Sequence, residues 1–173
     1  MLTDREREYI NNLPQEIAEK PVEIFQWEAK SLDIAQSVID SVKFVDPGLT
    51  VFLRGSVPLK ISGQKDIDLT CNDSVSSFDA HKAKLEPVFG KASKQNDSSV
   101  VWHFLQDGYE ISFYIVDPEK SDQLARQTKL DSLFKSQPHL LKEYEDLKVS
   151  LAGVPYKVYL EDKFEFFNRI RGL

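Results

Sequence analysis

The sequence predicts an α+β fold, a mixed β-sheet covered by helices on one side and followed by a helical C-terminal part. Three observations predict it. An apolar stripe at helical spacing precedes residue 45. Strand-like runs, two of them flanking an Asp-Gly pair, fill the middle of the chain. Amphipathic helical patterns return after residue 119. The order is helix, strand, strand, helix, hairpin, helices.

Thr3 and Glu6 have capping-box spacing and open a short first helix. Pro14 and Pro21 punctuate the stretch after it. From about Val22 to Lys43, Phe25, Leu32 and Ile39 recur every seventh residue, with Ala35 and Val42 widening the stripe. Asp46-Pro47-Gly48 ends that helix with turn chemistry. Leu49–Arg54 reads as a strand, and a polar, glycine-containing loop runs on to Lys65. Asp66–Cys71 alternates polar and apolar residues, the pattern of a half-buried strand. Phe78, Leu85 and Phe89 mark a helix whose end Pro87 weakens. Val100–Leu105 and Tyr109–Val116 flank Gln106-Asp107-Gly108, a hairpin signal. Asp117-Pro118 suits the cap and first position of the next helix. Leu140, Tyr144, Leu147 and Leu151 mark one C-terminal helix, closing at Gly153, and Leu160, Phe164, Phe167 and Ile170 mark another. The expectation is a single domain over residues 1–173. Residues 1–45 form a helical lead-in, 46–118 the sheet core with the site, and 119–173 the C-terminal helices.

The 173 residues are 41% hydrophobic and 29% charged, the profile of a soluble globular domain. No apolar run approaches the roughly 20 residues of a membrane helix. The first residues show neither a signal region nor a transit bias, so a cytoplasmic location is expected. One cysteine, Cys71, rules out an internal disulfide and a cysteine-built zinc site, and reads as a small buried hydrophobe. The net charge of −6, concentrated before residue 119, argues against a general nucleic-acid binder. His81, His103 and His139 show no metal-ligand spacing and read as surface or packing residues.

The chemically informative stretch is residues 51–71. A hydrophobic strand runs into Gly55-Ser56, nine residues intervene, and Asp66-Ile67-Asp68-Leu69 comes next. Alternation along a strand puts Asp66 and Asp68 on one face, about 7 Å apart, with Ile67 and Leu69 on the other. Paired carboxylates can merely solvate a strand. Asp is depleted in strands, however, and the Gly-Ser turn upstream gives the pair a purpose. Mg²⁺ is held by one or two carboxylates together with substrate phosphates. Gly55 lets backbone approach a phosphate, and the Ser56 hydroxyl adds a donor. Glu110 lies with Ser112 on the polar face of a hairpin strand, and completes a three-carboxylate cluster if that strand pairs beside Asp66–Leu69. Lys65, next to the aspartates, could counter their charge or reach a phosphate. Lys148 and Lys163 could hold a triphosphate as point charges. Tyr144 and Tyr159, one turn before them, read as packing residues.

Gly-Ser followed by an acid–hydrophobic–acid triplet, with a later acid on a hairpin strand, resembles the signature of the DNA polymerase β-like nucleotidyltransferase superfamily. Within it the chain is most similar to the GrpB-like proteins. Gly55-Ser56-Val57-Pro58-Leu59 resembles their phosphate loop. Phe134, Pro138-His139-Leu140, Tyr144 and Leu147-Lys148 resemble one of their helices. Tyr159, Lys163 and Phe166-Phe167 resemble their closing helix. The likeness spans roughly residues 50–170. The chain departs from the GrpB-like pattern in lacking the residues between Gly-Ser and Val-Pro, and in carrying two aspartates in the strand. Glu110 matches the wider superfamily better.

The resemblance implies a nucleotidyltransferase-like sheet and transfer of a nucleotidyl group from a nucleoside triphosphate to an acceptor hydroxyl. Asp66, Asp68 and Glu110 would be catalytic and would bind one or two Mg²⁺ ions. Gly55, Ser56, Lys65, Lys148 and Lys163 would bind the nucleotide. The acidic charge favours a small-molecule or protein acceptor over nucleic acid, and no membrane partner is expected. The alternative is a non-catalytic nucleotide-binding or protein-interaction module on the same fold.

Overall fold

The computed structural model describes residues 1–172, Gln123 by its backbone alone. Helices α1 (Asp4–Asn11), α2 (Gln15–Ala18) and α3 (Lys30–Val45) lead into β1 (Val51–Arg54), the short α4 (Ser56–Leu59) and β2 (Asp66–Asn72). Next come α5 (Phe78–Phe89), β3 (Lys94–Gln95), β4 (Ser99–Gln106) and β5 (Tyr109–Val116). Helices α6 (Asp122–Ser136), α7 (Pro138–Ser150) and α8 (Tyr156–Arg171) complete the chain. The fold class is the α+β architecture with a mixed sheet that the pattern predicts.

The chain divides into two compact units, Met1–Phe25 with Gln127–Leu173, and Gln26–Arg126. The second unit holds a five-stranded sheet of order β1-β2-β5-β4-β3. Its central pair, β2 and β5, is parallel, and the other pairs are antiparallel. Ile67, Leu69 and Cys71 of β2 and Ile111, Phe113 and Ile115 of β5 point to one face. There they share a core with Ile34, Val38 and Val42 of α3 and Phe78 and Leu85 of α5. The opposite face carries the polar residues of the same strands.

The stripe expected from Val22 begins late. Helix α3 starts only at Lys30, because residues 20–22 are committed to extended pairing. Pro21 bridges Pro155, and Val22 and Gly153 or Val154 exchange backbone bonds of 2.8 and 2.9 Å. Its buried face is Ser31, Ile34, Ala35, Val38 and Val42, with Leu32 and Ile39 on its flanks. Asp117 does not cap a helix. It is buried, and its carboxylate accepts backbone N–H groups of Val75 and Glu119, both at 3.0 Å, so α6 begins only at Asp122. Helix α6 is the helix expected after Asp117-Pro118, with a later start, whereas the two-residue strand β3 was not expected. The hairpin is as predicted. Asp107 and Gly108 have φ of +51° and +84°, the two positive values of a type I′ turn.

One buried polar cluster ties the helical layer to the sheet. Asp46, which ends α3, accepts from His81 Nδ1 at 2.5 Å and Lys84 Nζ at 2.8 Å. His81 Nε2 lies 2.6 Å from Asp73, just beyond β2. The histidine is therefore a buried packing and bridging residue. Burial alone would raise the Asp46 carboxyl, but Lys84 and His81 outweigh it and hold it below the usual range. The hydrogen bond from His81 likewise holds Asp73 down. Burial, reinforced by both aspartates, pushes the Cys71 thiol up to about 12, so it is an inert core residue.

The first unit has its own core of Ile10, Val22, Leu151, Tyr159 and Leu160. The capping box on α1 forms as predicted, and Glu6 also accepts from Asn168 at 2.7 Å.

Candidate functional site

The site is built where β1 turns into β2. Gly55 has φ +74° and ψ −149°, a conformation essentially restricted to glycine. A Cβ there would lie 2.8 Å from Asp68 Oδ2, so the turn passes directly over that carboxylate. Ser56 then opens the single turn of α4. Trp27 Nε1 donates to the Val57 carbonyl at 3.1 Å, and Lys60, at φ +56°, reverses the chain with its Nζ 5.7 Å from the Trp27 ring.

The returning strand brings in Gly63, which sequence reasoning missed. A Cβ on Gly63 would lie 2.5 Å from Ser56 Oγ and 3.7 Å from Asp66 Oδ1. Gly63 thus lets the serine and the first aspartate converge. Its only signal was a glycine inside the nine-residue gap. Gln64 N–H donates to Asp66 Oδ1 at 3.3 Å. Lys65 turns with φ +59°, and its carbonyl accepts from Glu110 N–H at 2.9 Å.

That last bond starts the parallel pairing. Asp66 lies abreast of Glu110, and Asp68 abreast of Ser112. Paired residues share a face. Asp66, Asp68, Glu110 and Ser112 are the partly or fully exposed positions of strands whose alternate residues are buried. The expected pairing of the hairpin strand with the aspartate strand is therefore present. Gly55, Ser56, Lys65, Asp66, Asp68 and Glu110 all fall in this one part of the sheet unit. Arg54 stands opposite Asp68 on the other side, across the β1–β2 register.

Lys148 and Lys163 lie in the helical unit. Lys148 is buried with Nζ 5.3 Å from the Tyr144 ring. Lys163 is half-buried, over the rings of Tyr159 and Phe167 at 5.6 and 5.8 Å. Tyr144 and Tyr159 are buried packing residues, as expected.

The row through Asp68 and Ser112 continues to His103 on β4. Its Nδ1 is 3.1 Å from Ser112 Oγ. Sequence reasoning took His103 for a surface or packing residue and missed this pair, although a two-residue Asp107-Gly108 turn sets its register.

Two carboxylates from one strand and one abreast of them thus share this face, with the Gly55 turn close over Asp68. Among the described residues, no group of three or more His, Cys, Asp or Glu side chains is already closed around a metal-sized space. No described helix is long and apolar enough to cross a membrane.

No protein-family model matches the chain, and no curated protein matches it in sequence. Among solved structures it is similar to the conserved protein GrpB from Enterococcus faecalis, with a TM-score of 0.67 at 12% identity. The match covers 86% of this chain and 94% of that one. The five-stranded mixed sheet with its helices is thus a GrpB-like fold.

Proposed function

We propose that the chain is a Mg²⁺-dependent nucleotidyltransferase that moves a nucleotidyl group from a nucleoside triphosphate to an acceptor hydroxyl. The observation that supports it best is the register that sets Glu110 abreast of Asp66, with Asp68 one step along the same face beneath the Gly55 turn. Asp66 and Asp68 would hold the metal, which when bound neutralises the carboxylates and the triphosphate together. Gly55 offers close backbone approach to the β- and γ-phosphates, and Ser56 Oγ a hydrogen bond. Lys65 adds a positive charge beside the aspartates. Glu110 would help activate the attacking hydroxyl. These roles use residues of the sheet unit alone. A small-molecule or protein acceptor suits the acidic chain better than nucleic acid.

A second reading, nucleotide binding or protein interaction without turnover, is favoured by Arg54. It sets a fixed cation opposite Asp68. Calorimetric titration of the four ribonucleoside triphosphates separates the two. Binding that needs Mg²⁺ and is lost in Asp66→Asn/Asp68→Asn is the expected result. Binding that persists in chelator would favour the second reading, and no binding would sink both nucleotide readings.

A further inference from the structure

The proposed reaction leaves the acceptor unnamed, and the sheet itself carries a candidate. Ser112 is half-buried on the acidic face, next to Asp68 in the parallel register. Neighbouring strands lie about 4.8 Å apart, so its hydroxyl is one strand away from the carboxylate. His103, exposed on the next strand, has Nδ1 3.1 Å from Ser112 Oγ. A nucleophile and a base within about 2.6–3.2 Å of each other is the pairing that activates a serine. Two contacts hold His103. Its ring meets the Tyr114 ring edge-on, 6.1 Å between centroids at 87°, and its backbone N–H donates to Ser93 Oγ at 3.0 Å.

We propose that Ser112 is itself a nucleotidyl acceptor, activated by His103. The inference rests on the nucleotidyltransferase reading of the same site. Ser112 Oγ forms a bond to the α-phosphorus of a nucleoside triphosphate. The bond from that phosphorus to the oxygen bridging to the β-phosphate breaks, and pyrophosphate leaves with the electron pair. The Ser112 proton passes to His103 Nδ1 and from the exposed ring to solvent. The product is a nucleoside monophosphate ester of Ser112.

Incubation with each ribonucleoside triphosphate and Mg²⁺, read by intact mass, should add one nucleoside monophosphate less water. Peptide mapping should place it on Ser112. Ser112→Ala should bind triphosphate normally and gain no mass, and His103→Gln should slow the gain about 100-fold or more. A fluorophosphonate, which needs neither nucleotide nor metal, should label Ser112 in the native chain and much more slowly in His103→Gln. Triphosphate binding without an adduct, or an adduct that survives Ser112→Ala, overturns this proposal alone. So does a Ser112 that the fluorophosphonate leaves untouched. Absence of triphosphate binding overturns the nucleotidyltransferase reading and this proposal together.

Discussion

Gly63 has no room for a methyl group, since its Cβ would stand 2.5 Å from Ser56 Oγ. Relief would require Ser56 to swing away from Asp66, out of the place where a phosphate would sit. Gly63→Ala is expected to cost about 1–3 kcal/mol in urea unfolding and to weaken triphosphate binding more than that loss of stability explains. A second residue-scale prediction concerns His81, which joins Asp46 and Asp73. Replacing it with Phe leaves the buried Asp46 carboxylate with one partner fewer, a loss on the order of 3 kcal/mol at neutral pH. Its pH dependence has a definite sign. Both carboxyls are held low in the folded chain, so protonation favours unfolding. Their contribution is complete above the ordinary aspartate range and is lost as pH falls below about 4. The urea midpoint of the native chain should therefore fall over that acid range, and that of His81→Phe should fall less steeply.

At the scale of elements, the β4–β5 hairpin governs the site more than any single acid does. Its two-residue turn aligns His103 with Ser112, and the β2–β5 pairing aligns Glu110 with Asp66. Gly108 has φ +84° with open space around its missing Cβ. The cost of Gly108→Ala is thus one of backbone conformation, about 1 kcal/mol, without a clash. Lengthening the turn by one residue is a different change. It threatens to shift the β4 pairing by one residue, which would turn His103 to the core face. Gly108→Ala should keep fluorophosphonate labelling of Ser112, and the lengthened turn should lose it. Helix α1 gives a simpler case. Thr3→Ala removes the hydroxyl half of its capping box, leaves the backbone N–H of residue 3 to donate to Glu6, and should cost about 1 kcal/mol in thermal or urea unfolding.

At the scale of the whole molecule, each unit has a hydrophobic core of its own. The sheet unit, Gln26–Arg126, is continuous in sequence, whereas the helical unit is assembled from both ends of the chain. Residues 26–126 expressed alone are expected to unfold cooperatively in urea and to bind triphosphate. A curve with no transition would show that the sheet core does not suffice for folding. A fragment that folds but binds weakly would assign part of the affinity to residues outside it, where Lys148 and Lys163 are found.

Much of this was legible in the amino-acid sequence, because its rules are local. Alternation marked β2 and the hairpin strands. Asp-Gly marked the turn, and the Thr3–Glu6 spacing marked the first cap. Gly55-Ser56 with Asp66 and Asp68 marked the candidate site. Each of these signals comes from residues close to one another along the chain. The start of α3 was misplaced because Val22 is held extended by Val154 and Gly153, more than a hundred residues away. Asp117 looked like a cap and is instead a buried acceptor for Val75. Strand order and the Asp66–Glu110 register belong to pairing between strands distant in the chain, and the closeness of Gly63 to Ser56 belongs to the path of the loop between them. Alternation can say which face a residue takes, but only tertiary structure decides which residue of the neighbouring strand stands beside it.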